Sequence, residues 1–142
     1  MFFGKLTLVF GIFIIQGYRL SSTHTLTVKI TRLKHKKGMV EIGLYEKGTN
    51  FPKVGKQYKK ARVKVTGSTV TYQFKGLTNG DYAIATYHDE NSDKCCNKNM
   101  FGVPTEAYAF SNNVRPFLSA PKFNSCRFWV TENRTLYIKM VY

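Results

Sequence analysis

Strict alternation of apolar and polar residues constrains this chain from about residue 24 onward. In "TLTVKIT", 25–31, Leu26, Val28 and Ile30 fall on one side and Thr27, Lys29 and Thr31 on the other. Successive side chains of a strand point to opposite faces, so this is the pattern of a strand with one buried face. "MVEIGLYE" repeats it through Val40, Ile42 and Leu44, and "ARVKV" through Ala61, Val63 and Val65. "TVTYQF" follows with Val70, Tyr72 and Phe74, and the tight turn Thr66-Gly67-Ser68 predicts that it forms a hairpin with "ARVKV". Two further runs close the chain: "CRFWV" aligns Cys126, Phe128 and Val130, and "TLYIKMVY" aligns Leu136, Ile138, Met140 and Tyr142. No stretch has helical periodicity. About seven short strands separated by turn signals predict an all-β fold, a single antiparallel β-sandwich with Greek-key connections over residues 24–142. With 43% hydrophobic and 15% aromatic residues, the chain can fill one such core.

The first residues follow a different pattern. Met1 to Lys5 carries one positive charge and is followed by the apolar run Leu6–Ile15. That run is shorter than the roughly 20 residues of a spanning helix and has the length of a signal-peptide core. Residues 1–22 are therefore expected to be a signal peptide, with cleavage after Gly17 or Ser22 and export of the remainder.

Lysine and arginine number 22 against 8 acidic residues, a formal charge of +14. Such a chain is drawn to anionic polymers and anionic membrane surfaces. The lysines near 34–37 and 53–60 are the expected contact points. They are scattered rather than gathered on one element, so no specific nucleic-acid site is read from them.

Leu77, Gly80 and Tyr82 form the spacing L-x-x-G-x-Y. In β-sandwiches a tyrosine so placed bonds its hydroxyl to backbone a few residues upstream and pins a crossover between sheets. Beyond it, 88–124 is expected to be one long loop, far longer than ordinary connections of about 4–6 residues. Its aromatics, among them Phe101, Tyr108, Phe110, Phe117 and Phe123, predict that it is packed down on the sandwich.

"YHDENSDKCCNKNMFGVPTEAYAFSNN", 87–113, resembles the characteristic segment of the DUF2141 family, small exported bacterial proteins, as do "FPK" at 51–53 and "F-x-GL-x-x-G-x-Y" at 74–82. The likeness covers about residues 24–142. It implies an Ig-like or transthyretin-like sandwich and a periplasmic or extracellular location, and it implies no activity. The chain departs from the family pattern at Ser92 and Lys94, where glycine is usual, at Cys96, where a hydrophobe is usual, and at Asn97, where Asp is usual.

The loop 88–113 holds the candidate chemistry. Asp89, Asn91 and Asp93 occupy positions 1, 3 and 5 of an EF-type loop, which makes calcium the one candidate cofactor. Position 6, normally Gly, is Lys94, and position 12, normally a bidentate Glu, is Met100. Asp and Asn at such places also form plain turns by capping their own backbone. Cys96 or Cys95 is a candidate partner for a disulfide to Cys126, the alternative being that Cys96 and Cys126 are small buried hydrophobes. His88, with Glu106 as a conceivable partner, is the one candidate for an enzyme, but no nucleophile–base motif accompanies it and no catalytic residue is assigned. Tyr108, Phe110, Ser111, Asn112 and Asn113 are the candidate binding residues, since aromatics and amides together suit a glycan or a protein. The expectation is an exported, non-enzymatic module that binds a macromolecule through 101–113, or an anionic surface through its lysines. A metal-supported or His88-based enzyme is the alternative.

Overall fold

The computed structural model describes residues 22–142. The leader expected over 1–22 lies, but for Ser22, outside them. Among the described residues eight strands form: β1 (His24–Thr31), β2 (Met39–Glu46), β3 (Lys59–Lys64), β4 (Val70–Leu77), β5 (Gly80–Asp89), β6 (Tyr108–Phe110), β7 (Phe128–Val130) and β8 (Arg134–Lys139). A three-stranded sheet, β4-β1-β8, lies against a five-stranded sheet in which β3, β2 and β5 are neighbours and β6 and β7 both pair with β5. This is the expected two-sheet sandwich.

The alternation read from the sequence sets the core. Leu26, Val28 and Ile30 of β1 face Val40, Ile42 and Leu44 of β2 across the sandwich, and all are fully buried. Each such side chain contributes on the order of 2 kcal/mol of transfer free energy. Phe74, Leu77, Tyr82, Ile84, Phe128 and Ile138 belong to the same cluster. In β4 the alternation breaks at Gly76, whose left-handed backbone (φ 70°) accompanies a register shift against β1 and lets Leu77 turn inward.

Four expectations are corrected, one being that the aromatics of 88–124 all pack down: Phe101 and Phe117 are exposed. β3 and β4 are not a hairpin: the turn at 65–69 carries the chain from one sheet to the other. The sandwich is not wholly antiparallel, because β8 runs parallel to β1, Val28 opposite Leu136 and Ile30 opposite Ile138. Nearly the whole domain lies between these two strands, so no hairpin turn dictates their relative direction. Finally, 88–124 is not one continuous loop. β6, the 3-10 turn Ser111–Asn113 and the single helical turn Phe123–Cys126 interrupt it.

β5 explains this last departure. It is ten residues long, and β2 covers only one of its edges. Two three-residue strands share the other edge end to end, β7 against Gly80–Tyr82 and β6 against Ala85–Tyr87. Ile84 falls in the gap between them, where its amide has no strand partner. The Ser111 hydroxyl accepts that N–H at 2.9 Å and donates to the Cys126 carbonyl at 2.5 Å. A buried backbone donor is thereby satisfied.

Candidate functional site

Most sandwich sheets leave their outer face to water. Here β2 and β5 are buried on both faces. Their outward residues, Glu41, Gly43 and Tyr45 on β2 and Ala85 and Tyr87 on β5, line a cleft of about 960 Å³ roofed by residues of 94–104 and 116–120. A second small cluster of Ala83, Phe110 and Cys126, with Phe51, Tyr108 and Phe123 against it, supports one wall. Phe51 meets Tyr45, Phe110 and Phe123 edge to face at centroid separations of 5.1, 6.0 and 6.0 Å. The Tyr45 hydroxyl shares its proton between the Pro52 and Lys53 carbonyls, both at 3.1 Å, fixing the 51–53 turn over the sheet. Phe101 and Tyr108 add two further aromatic walls.

The floor is polar. Glu41 and Tyr87 are directly opposite each other across the β2–β5 ladder. Glu41 is 3% exposed; its Oε2 accepts from Arg62 at 3.2 Å, and its Oε1 has no partner. The Tyr87 hydroxyl is likewise buried without a partner. Burial first, then the Glu41 and Asp89 carboxylates, push the Tyr87 phenol well above its usual range, so it remains a hydrogen-bond donor. Cys96 also lines the cleft, and burial, reinforced by Glu106, raises its thiol. Lys53, Lys94 and Lys98 stand at the rim.

The loop head at 88–94 folds its carboxylates back on its own backbone. Asp89 is fully buried; Oδ2 accepts from Arg62 at 2.7 Å and from the Lys94 amide at 3.0 Å, and Oδ1 accepts from the Asp93 amide at 3.1 Å. Asn91 accepts from the Asp93 amide at 3.2 Å and donates to Asp93 Oδ2 at 2.9 Å, while Asp93 Oδ1 accepts from the Cys95 amide at 2.8 Å. That last bond, joined by those from Asn91 and Asn97, holds the Asp93 carboxyl below its usual range. The oxygens that calcium would need already accept from backbone amides, the Asn91 side chain and Arg62, whose guanidinium supplies the compensating charge. Among the described residues no group of three or more His, Cys, Asp or Glu side chains is arranged to hold a metal.

His88 is fully buried and lies outside the cleft lining. Its Nε2 donates to the Lys37 carbonyl at 2.7 Å, and its Nδ1 accepts from the Tyr142 hydroxyl at 3.0 Å. Tyr142 in turn accepts from the Lys34 amide at 2.9 Å. Both ring nitrogens thus knit β5 to the basic turn and the C-terminus. Glu106 is instead turned back on the loop, accepting from the Asn97 amide at 3.3 Å; burial raises its carboxyl above the usual range. The lysines near 34–37 are partly engaged: Lys37 and His35 pair with Glu90 at 3.2 and 2.8 Å. Burial opposes ionisation of Glu90, but these two hydrogen bonds outweigh it and hold the carboxyl low.

The candidate binding set divides. Tyr108 and Phe110 line the cleft. Ser111, Asn112 and Asn113 do not; they are locks. Asn112 and Asn113 adopt left-handed backbone (φ 60° and 53°), which Asn tolerates better than most residues. Asn112 donates to the Arg127 carbonyl at 2.9 Å, and Asn113 accepts from the Lys139 amide at 2.7 Å, tying the turn to β7 and β8. The disulfide to Cys126 is absent: Cys95, Cys96 and Cys126 are all free thiols, and Cys126 sits in the outer cluster rather than beside Phe128 and Val130 in the main core. Leu77 is buried, Gly80 opens β5, and the Tyr82 hydroxyl donates to the Thr78 carbonyl at 3.0 Å where the chain crosses between sheets. The sequence reading missed Glu41 and Arg62. A glutamate on a strand otherwise buried on both faces was the signal available for the first.

The fold and cleft together define a two-sheet β-sandwich that carries a roofed hollow on the outer face of its larger sheet. The profile of the DUF2141 family, described as an uncharacterized protein conserved in bacteria, matches residues 28–137, and the chain belongs to that family. No curated protein and no solved structure gives a significant match.

Proposed function

We propose that this protein is an exported, non-catalytic module that binds a glycan in the cleft between β2, β5 and the 94–120 segment. One observation carries the reading: Glu41 Oε1 and the Tyr87 hydroxyl, cross-strand neighbours on the cleft floor, are buried polar atoms without partners. Leaving such a group unpaired costs about 1–3 kcal/mol, so a ligand hydroxyl that displaces the covering atoms and reaches either one gains a bond the free protein lacks. A carboxylate oxygen accepts a hydroxyl, and a phenol donates to one. Aromatic walls receive the C–H faces of a sugar ring, in the manner of ligand sites that are mostly apolar with a few placed polar groups. A cationic ligand is disfavoured by Lys53, Lys94 and Lys98 at the rim and by Arg62 beside Glu41. Export rests on the apolar run Leu6–Ile15 behind Lys5. The non-catalytic reading is supported by His88, whose two nitrogens are both engaged away from the cleft.

Screening of the purified chain against an array of soluble glycans, followed by calorimetry on the hits, tests this. Binding is expected to be weakened roughly tenfold or more by Tyr87→Phe and by Glu41→Gln, each of which removes or weakens one polar contact. It is expected to vary little between low and high salt. Binding indifferent to both substitutions, or no binding to any glycan, rejects the proposal.

A further inference from the structure

The most exposed apolar side chains among the described residues lie on the two segments that border the cleft, and a cleft wall requires far less apolar surface than they present. Met100 and Phe101 at the tip of the 94–104 segment are 89% and 81% exposed, and Phe117 and Leu118 on the 116–120 segment are 86% and 94% exposed. Phe101, Val103, Leu118 and Val54 border the same opening. Side chains this exposed gain little from the fold, and four of them on two segments bordering one opening mark a surface that something else covers.

The charge around them narrows the partner. Lys53, Lys94 and Lys98 line the opening and Arg115 precedes Phe117 by two residues. None of these four is ion-paired among the described residues. Of the nearby acids, Glu41 is paired with Arg62 on the floor, while Asp93 and Glu106 accept from the Cys95 and Asn97 amides and form no ion pair with these four cations. Protruding apolar tips ringed by unpaired cations, on a chain of net charge +14, are complementary to a surface that is anionic outside and apolar within. We infer that these two loop tips dock the protein on an anionic phospholipid bilayer, Met100, Phe101, Phe117 and Leu118 entering the headgroup boundary and the four cations lying among the phosphates. The inference does not depend on the cleft's ligand.

Co-sedimentation with vesicles of phosphatidylglycerol and phosphatidylcholine in equal parts tests it, with pure phosphatidylcholine vesicles as the contrast. The wild-type chain is expected to bind the mixed vesicles and to bind the neutral ones at least tenfold more weakly. Phe101→Ser with Leu118→Ser is expected to lower the partition at least tenfold, and Lys94→Ala with Lys98→Ala by roughly fivefold per lysine. These residues are exposed, so melting temperatures within a few degrees of wild type confirm that the variants are folded. All proteins compared carry the same N-terminus, so binding that survives the Phe101/Leu118 substitution is not made by the tips and overturns the inference. Equal binding to neutral vesicles overturns the electrostatic half. Concentration-dependent dimerisation without vesicles, lost in the same double variant, assigns the patch to self-association and overturns the bilayer reading.

Discussion

Glu41 on β2 and Tyr87 on β5 are direct cross-strand partners, and each leaves one buried oxygen unpaired in the same cleft. Native proteins seldom tolerate one such atom without a reason, and here two share a wall of the same hollow. On the glycan-binding proposal, the arrangement exchanges stability of the free protein for recognition. Tyr87→Phe is therefore expected to stabilise the unliganded chain by about 1 kcal/mol, because it deletes a desolvated hydroxyl and keeps the ring. The same substitution is expected to weaken the proposed glycan binding. Urea unfolding of the two proteins measures the first effect; a variant less stable than wild type shows that the hydroxyl is satisfied in solution and removes the basis of the cleft reading.

Asp89 and Arg62 form the charged pivot of the loop head, 2.7 Å apart with the carboxylate fully buried. Deleting one partner of such a pair strands the other, and Asp89→Ala also frees the Lys94 and Asp93 amides. A loss of about 3 kcal/mol is expected, at the lower end for a buried pair because Arg62 is partly exposed. Millimolar calcium is expected to leave the melting temperature of the wild-type chain unchanged, since the candidate ligand oxygens already accept hydrogen bonds. A calcium-induced rise of several degrees overturns this assignment.

The strands were legible because the side-chain period of two is a local property: Leu26, Val28 and Ile30 declare their face without reference to anything distant. Partnership is not local. Alternation in β1 and β8 is the same whether they pair parallel or antiparallel, and Thr66-Gly67-Ser68 reads as a hairpin turn although it joins two sheets. The site was half legible. Tyr108 and Phe110 belong to it, while Ser111–Asn113, equally noticeable in the sequence, are consumed by the backbone of β5, Arg127 and β8. Whether a polar side chain faces a ligand or an orphaned amide depends on which strand ends nearby, and Ile84 and Ser111 are 27 residues apart.

Lys94 and Ser92 adopt left-handed backbone, with φ of 67° and 61°. A side chain with a Cβ is strained there by roughly 1 kcal/mol, and glycine is not. The Lys94 amide that bonds Asp89 is retained in Lys94→Gly, so the substitution relieves the strain without losing the contact. Guanidinium unfolding is expected to show a gain of about 1 kcal/mol, less what glycine's extra freedom costs the native state. The same protein tests the rim charge independently, because vesicle binding should fall while stability rises. A destabilised Lys94→Gly shows that the lysine side chain makes contacts that outweigh its backbone.

The three thiols differ in environment and should differ in reactivity. Cys95 is exposed, Cys96 half-buried and Cys126 fully buried. An aromatic disulfide reagent at neutral pH is expected to modify Cys95 first, Cys96 more slowly and Cys126 only upon unfolding, since the thiolate reacts and burial suppresses it. Non-reducing peptide mapping that found Cys126 bridged to Cys95 or Cys96 overturns the ordering. Burial pushes the Cys126 thiol from 9.0 up to about 11. Between these values the native state holds a proton that the unfolded chain has released, so stability is full below pH 9 and falls as pH rises toward about 11. The loss assignable to this one group is on the order of 2–3 kcal/mol, at 1.36 kcal/mol per pKa unit. Buried tyrosines act in the same direction, so the measurement that isolates Cys126 is the difference between wild type and Cys126→Ala from pH 8 to about 11. The variant is less stable at pH 8 for want of a packed sulfur, and the gap should narrow with rising pH; a constant gap refutes the linkage.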